Sequence, residues 1–252
     1  MNRPTLRIAF APLALAIFAL AGCNNSSDSS SSATKPAGSV AAVAAPAGTS
    51  WTDNVSATAD GFRMGNPKAA ITLIEYGSFT CPHCRDFQAE GHEAIERDFV
   101  NTGKVNFEYR SMIRDPVDLT VALIAYCAPP ESFFALNSQL FANQDEMIKA
   151  FSSRGQDEQQ ALGKLPPEQR FVKIAEMANL IEFAKQRGLP EAKVRACLTD
   201  TKKAQTLADH SEAVTKQYPQ FAGTPSFILN GTLLDSTASW SALKLRLSEA
   251  GA

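Results

Sequence analysis

Residues 70–84 decide the fold: Ala70-Ile71-Thr72-Leu73-Ile74-Glu75-Tyr76-Gly77-Ser78-Phe79-Thr80-Cys81-Pro82-His83-Cys84. The run from Ala70 to Tyr76 is rich in β-branched and aromatic residues, the composition of a buried central strand. A short loop leads to Cys81-Pro82-His83-Cys84. A helical pattern follows, with Phe87, Ile95 and Phe99 set among charged residues, and it ends before Gly103. From Lys104 to Arg110 the chain alternates Val105, Phe107 and Tyr109 with Lys104, Asn106 and Glu108, as in a strand with one buried face. The unit is strand, helix, strand. At this length it predicts a βαβ crossover with parallel strands.

Working outward, the C-terminal end supplies the complement. Pro225 to Leu229 reads as a strand, Asn230-Gly231 as a hairpin turn and Thr232 to Leu234 as the returning strand. Trp240 to Leu247 reads as a short helix with Leu243 and Leu247 four residues apart on one face. Between the halves, from about Asp115 to Tyr218, the pattern is helical. Val117 to Tyr126 is nearly all apolar, and Phe133, Phe134, Leu136, Leu140 and Phe141 mark a second helix. Phe171, Ile174, Ala178 and Ile181 recur at helical spacing up to a stop at Gly188 and Pro190. Further helices are expected from Pro190 through Cys197 and from Thr201 to Gln217. The polar, glycine-containing stretch from Phe151 to Pro167 reads as a loop. The apolar residues of this insert are expected to form core as a helical cap on the sheet.

The 252-residue chain is 44% hydrophobic with a formal net charge of -2. That charge argues against a nucleic-acid binder, which carries a strong basic excess. At the N-terminus Arg3 and Arg7 precede an uncharged apolar run from Ile8 to Ala21, the layout of a secretory signal. The run is shorter than the roughly 20 residues of a membrane span. Leu20-Ala21-Gly22-Cys23 resembles the lipobox of bacterial lipoproteins, which implies a signal peptide over 1–22 and a lipid on Cys23. From Asn24 to Ser50 the chain is mostly Ser, Ala, Gly and Pro, without an aromatic residue. Such a composition buries too little surface to offset ordering entropy. Residues 23–50 are therefore expected to be a lipid-attached tether, with the domain over 51–252 starting near Trp51. The expected location is the bacterial cell envelope, with the domain in the periplasm.

Setting Cys23 aside leaves Cys81, Cys84, Cys127 and Cys197 of the five cysteines. A Cys-x-x-Cys pair can be a redox couple, half a zinc site or a structural bridge. A structural zinc needs four ligands, and His83, His92 and His210 form no second paired motif, so no metal is expected. A bridge across two residues closes too small a loop to constrain the unfolded chain much. Redox chemistry is the reading that position supports. A cysteine entering a helix directly after a strand meets unpaired backbone N–H groups and the positive end of the helix dipole. That favours the thiolate at Cys81, while Cys84 lies a turn deeper. Pro82 sits where no N–H partner is lost, and His83 can add positive charge or a hydrogen bond. Cysteines so placed have thiol pKa values of about 3.5–7.5. The disulfide carries the electrons, so no cofactor is expected. Cys127 and Cys197 are either buried thiols acting as small hydrophobes or a second disulfide, which an oxidising compartment favours.

Tyr76-Gly77-Ser78-Phe79-Thr80 followed by Cys81-Pro82-His83-Cys84 resembles the DsbA-type disulfide oxidoreductases of the thioredoxin superfamily. The resemblance covers about Phe62 to Leu247. It implies an α/β thioredoxin-like fold, βαβ plus ββα, with a helical domain inserted between the halves at about 115–218. It also implies that Cys81 attacks and Cys84 resolves. Gly223-Thr224-Pro225 resembles the cis-proline loop facing the redox pair, with backbone groups free to hold a polypeptide as an added strand. Glu75, six residues before Cys81, corresponds to the family's buried acid and would relay a proton for Cys84; the alternative is a carboxylate at a strand end. The best-known oxidase has valine where this chain has Thr224, as isomerase relatives do. Oxidation of exported polypeptides with free thiols is the leading expectation, with a DsbB-like quinone-linked membrane protein as reoxidant by the same resemblance. Reductase or isomerase activity is the first rival. A non-catalytic lipoprotein binding peptides or a metal-delivery partner near Pro225 is the second. A monomer is expected, and His92 and His210 are read as solvated.

Overall fold

A computed structural model of the protein describes residues 38–252. The expected signal peptide, Cys23 and the first part of the expected tether lie outside the described residues. Strands β1 (Val55–Ala57), β2 (Gly61–Gly65), β3 (Ile71–Gly77), β4 (Val105–Ser111), β5 (Ser226–Leu229) and β6 (Thr232–Leu233) form one sheet in the order β1-β2-β4-β3-β5-β6. Strand β3 runs parallel to β4, with Ile71 opposite Val105, and antiparallel to β5, with Glu75 opposite Phe227. The expected βαβ unit and C-terminal hairpin are therefore present. Asn230 and Gly231 both take positive φ, 49° and 83°, the geometry a two-residue hairpin turn demands.

Helix α1 (Pro82–Ile95) joins β3 to β4 and runs on through a wider turn over Glu96–Val100. The insert comprises α2 (Pro116–Ala125), α3 (Phe133–Ala142), α4 (Gln144–Ser152), α5 (Gln156–Ala161), α6 (Pro167–Met177), α7 (Leu180–Lys185), α8 (Glu191–Leu198) and α9 (Thr201–Gln217); α10 (Trp240–Glu249) closes the chain. The alternation along β3 sorts its side chains onto two faces. Ile71 and Leu73 enter the main core with Phe87, Ile95 and Leu247, whereas Ile74 and Tyr76 pack with Val214 of α9 and Ile228 of β5. Among the described residues no single helix is long and apolar enough to cross a membrane; α2 is apolar because it is buried.

Three local expectations are corrected. The stretch from Phe151 to Pro167 is largely helical, through α5 and a short 3-10 turn at Leu162–Lys164. Leu162 is buried beside Ile174 and Met177, and one such anchor was too weak a periodic signal. The helix read from Phe171 onward breaks into α6 and α7 at Asn179, whose φ is 57°. Residues 38–50, expected as tether, lie against the domain. Val40 N–H donates to the Gly251 carbonyl at 2.8 Å and Val43 N–H to the Thr102 carbonyl at 2.9 Å. The Trp51 indole N–H donates to the Val43 carbonyl at 2.7 Å. Backbone hydrogen bonds hold this stretch, and composition does not report them.

Strands β1 and β2 carried no strong sequence signal. Strand β2 pairs antiparallel with β4, Phe62 opposite Tyr109. A Cβ at Gly61 would fall 2.0 Å from the Tyr109 carbonyl oxygen, so glycine is required for the two backbones to approach.

Candidate active site

Cys81 is the N-cap of α1, with extended φ and ψ of -89° and 118°, and Pro82 occupies the first helical position. The chain thus enters the helix with its first N–H groups aimed at the Cys81 sulfur. Cys81 is 3% exposed and Cys84 fully buried. The Cys81 thiol is held well below its ordinary value, at about 5. The largest cause is the hydrogen bond from the Cys84 thiol, which outweighs burial; the Thr224 side chain and the N–H groups of Cys84 and His83 add to it. Cys84 is driven the other way, first by burial, then by its bond to Cys81 and the charge of Glu75. One sulfur is ionised at neutral pH and its neighbour holds a proton.

Thr224–Pro225 is a cis peptide bond, as the resemblance implied. The Cys81 Sγ lies 3.2 Å from the Thr224 carbonyl oxygen, to which the protonated thiol donates. The Thr224 Oγ1 is buried and otherwise unpartnered, free to donate once the sulfur is ionised. His83 serves through its backbone N–H. Its imidazole points to solvent, and among the described residues no hydrogen bond joins that ring to a sulfur. Cys127, in the turn just past α2, and Cys197 of α8 form a disulfide with Cα atoms 6.0 Å apart.

Glu75 is fully buried in the middle of the sheet, which removes the reading of a strand-end carboxylate. Its Oε2 meets His92 Nε2 at 2.7 Å, and its Oε1 has no partner. His92 is 3% exposed, so its expected solvation is corrected. It lies three residues before Ile95 and eight after Cys84 on the buried face of α1, a spacing that its charged neighbours obscured. His210 is partly exposed and lies 3.4 Å from Asp60.

The loop before Cys81 is held by polar residues of the insert that sequence reasoning missed. Asp118, fully buried on α2, accepts from the Ser78 hydroxyl at 2.6 Å, the Phe79 N–H at 2.8 Å and the Arg114 N–H at 3.0 Å. Burial raises its carboxyl to about 7 despite those donors. Gln144, 1% exposed at the start of α4, donates from Nε2 to the carbonyls of Phe79 and Cys81, both at 2.9 Å. The Thr80 hydroxyl donates to Asp115 at 2.7 Å. Ser78 N–H in turn approaches the Cys84 sulfur at 3.4 Å. Asp115-Pro116 reads locally as a helix start; where these side chains reach is a long-range outcome.

A family model described as Thioredoxin matches residues 57–248. A Rickettsia typhi protein named as a protein-disulfide oxidoreductase is 27% identical over 169 residues, 67% of this chain and 54% of its own. The chain spans about half the length of the curated Rickettsia relatives it matches, 54% and 53% for two of them. The solved structure of a protein-disulfide isomerase from Novosphingobium aromaticivorans is 33% identical with a TM-score of 0.72, covering 76% of this chain and 97% of that one. Wolbachia pipientis alpha-DsbA1, at 19% identity and a TM-score of 0.59 over 75% of this chain and 89% of that one, shares the fold. With its redox pair at a helix N-terminus opposite a cis-proline and a helical insert between the two halves of the sheet, the chain belongs to the thioredoxin family, in the form built like the DsbA-type oxidoreductases.

Proposed function

We propose that the protein exchanges thiols and disulfides at Cys81 and Cys84, and that it runs as an oxidase of exported polypeptides. A substrate thiolate attacks the Cys81 sulfur of the Cys81–Cys84 disulfide. A mixed disulfide forms and Cys84 leaves with the electron pair, taking up a proton. A second substrate thiolate then attacks the substrate sulfur of that mixed disulfide, so the substrate leaves oxidised and Cys81 departs as a thiolate. The observation that carries this reading is the ionised Cys81 sulfur, held at about 5 against an ordinary 9.0. At pH 7 that difference favours the reduced form by about 2.7 kcal/mol. For a two-electron couple this makes the disulfide about 60 mV more oxidising. The reading seats a substrate segment along the backbone beside cis-Pro225 as an added strand.

The deciding experiment is equilibration of the Cys81–Cys84 pair with glutathione. A potential near DsbA's roughly -120 mV supports the oxidase, and one near thioredoxin's roughly -270 mV a reductase. An isomerase is the second reading, favoured by Thr224 before the cis-proline and by the Novosphingobium relative named as a protein-disulfide isomerase. Against a binding-only role, Cys81→Ala is expected to abolish exchange while sparing peptide affinity.

The proposed setting is the periplasmic side of a bacterial envelope membrane, anchored by lipid on Cys23, with a quinone-linked membrane protein as reoxidant. The charged start, apolar run and Leu20-Ala21-Gly22-Cys23 support the anchor. Each buried acyl methylene contributes about 0.8 kcal/mol to it. Cys23→Ser is expected to move the protein from the membrane to the soluble fraction; retention with membranes refutes lipid anchoring.

A further inference from the structure

The departing Cys84 sulfur is the difficult atom of the exchange. It is fully buried, and a buried thiolate without compensation is strongly disfavoured. A proton must therefore arrive as the disulfide opens and depart when Cys84 attacks. Glu75 is the acid whose charge reaches that sulfur. Its own ionised form is equally costly in the core unless something donates to it. Only one of its oxygens is satisfied: Oε2 meets the His92 ring at 2.7 Å, while Oε1 is buried and unpartnered.

We infer that His92 is a positioning residue for exchange: its Nε2–H holds Oε2 of Glu75, leaving Oε1 as the oxygen that gives a proton to Cys84 and takes it back. The inference rests on exchange at this pair and not on its direction. In the forward step the substrate sulfur bonds to Cys81 and the Cys81–Cys84 bond breaks. The Oε1 proton passes to the Cys84 sulfur and Glu75 becomes a carboxylate. The reverse step deprotonates Cys84 onto Oε1. His92 donates to Oε2 in both states, and more strongly to the carboxylate.

The surroundings fix the ring for this task. Phe87 and Phe107 meet it edge-on, with centroids 5.6 Å and 5.2 Å away. Phe87 is backed by Phe227 of β5 at 4.7 Å. The titratable groups around the pair are Cys84 and Glu96 from the helix side and Tyr109 from β4. Tyr109 has a buried, unpartnered hydroxyl that feels the charges of Glu75 and Cys84. The Glu96 carboxyl is raised chiefly by its own burial, against the charge of His92. Neither Glu96 nor Tyr109 has a hydrogen bond to Glu75 among the described contacts, whereas His92 does.

The test is a carbon-NMR titration of the Glu75 carboxyl in the reduced full-length protein. It is read beside the pH–rate profile for Cys84 attack on a Cys81–glutathione mixed disulfide. His92→Leu removes the donor to the charged form, and both midpoints are expected to rise by about one to two pH units. His92→Gln, whose side-chain amide also donates, is expected to bring both back toward the wild-type values. The pH profile of Cys81 alkylation, which reads the proposed function itself, is expected to stay in place in every variant. A folded His92→Leu protein with unmoved midpoints overturns the inference, as does a Gln variant that behaves like Leu. If His92→Leu does not fold, nitrogen NMR of the wild-type imidazole decides. Protonated Nε2 is expected near neutral pH, and bare Nε2 overturns the assignment.

Discussion

Replacing Asp118 with Asn tests whether the insert holds the redox loop through a buried acid. The carboxyl is fully buried and accepts three hydrogen bonds, two of them from backbone N–H groups. Burial nonetheless raises it from 3.8 to about 7. A folded-state pKa above the unfolded one means that the folded protein binds the extra proton. The associated stability is full below about pH 3.8 and is lost as pH rises through about 7. Between about pH 4 and pH 8 the wild-type protein should lose about 4 kcal/mol through this group alone. Asn cannot ionise, so its stability lacks that slope. It also keeps one acceptor oxygen, and with Oδ1 on the Phe79 N–H its amide must face the Arg114 N–H. One buried donor is then unpaired, at about 1–3 kcal/mol. Asp118→Asn should therefore be less stable than wild type near pH 4 and more stable near pH 8. Denaturant unfolding of both proteins at several pH values, with the Cys127–Cys197 disulfide intact, measures the difference. A difference that stays flat with pH refutes the claim that Asp118 carries a burial-raised carboxyl.

Alkylation of the reduced protein should proceed at Cys81 with a half-maximal rate near pH 5, following its thiolate, while Cys84, buried and pushed upward, stays unmodified across the same range by mass spectrometry. Replacing Cys127 and Cys197 together by Ala opens a loop of sequence separation 70, and loop-closure entropy sets the loss at about 4 kcal/mol; denaturant unfolding should show it, with the Cys81 alkylation profile unchanged. Gln144→Leu leaves the carbonyls of Phe79 and Cys81 without their shared donor, at about 1–3 kcal/mol, and amide exchange should speed up at Ser78 to Thr80 before it does in α6. Gly77→Ala places a Cβ 2.6 Å from the Tyr109 ring, and the overpacking should cost about 1–3 kcal/mol in thermal or denaturant unfolding.

The sequence by itself determined the parts that are local or periodic. The β-branched run 71–76, the helix after Cys81-Pro82-His83-Cys84 and the alternation to Tyr109 specified the βαβ unit. Asn230-Gly231 specified the hairpin, and the position of Cys81 at a helix start specified which sulfur would ionise. These are statements about neighbours a few residues apart, where sterics, hydrogen-bond geometry and side-chain period act directly. Tertiary structure decided what depends on distant segments meeting. His92 became a partner of Glu75, seventeen residues earlier, because α1 packs that face on the sheet. Asp118 and Gln144 reached the loop before Cys81 across separations of 39 and 65 residues. Cys127 found Cys197 across 70, and residues 38–50 were ordered by carbonyls and N–H groups contributed from elsewhere in the chain. A polar side chain signals its need for a partner in the sequence, but burial creates that need and packing selects the partner.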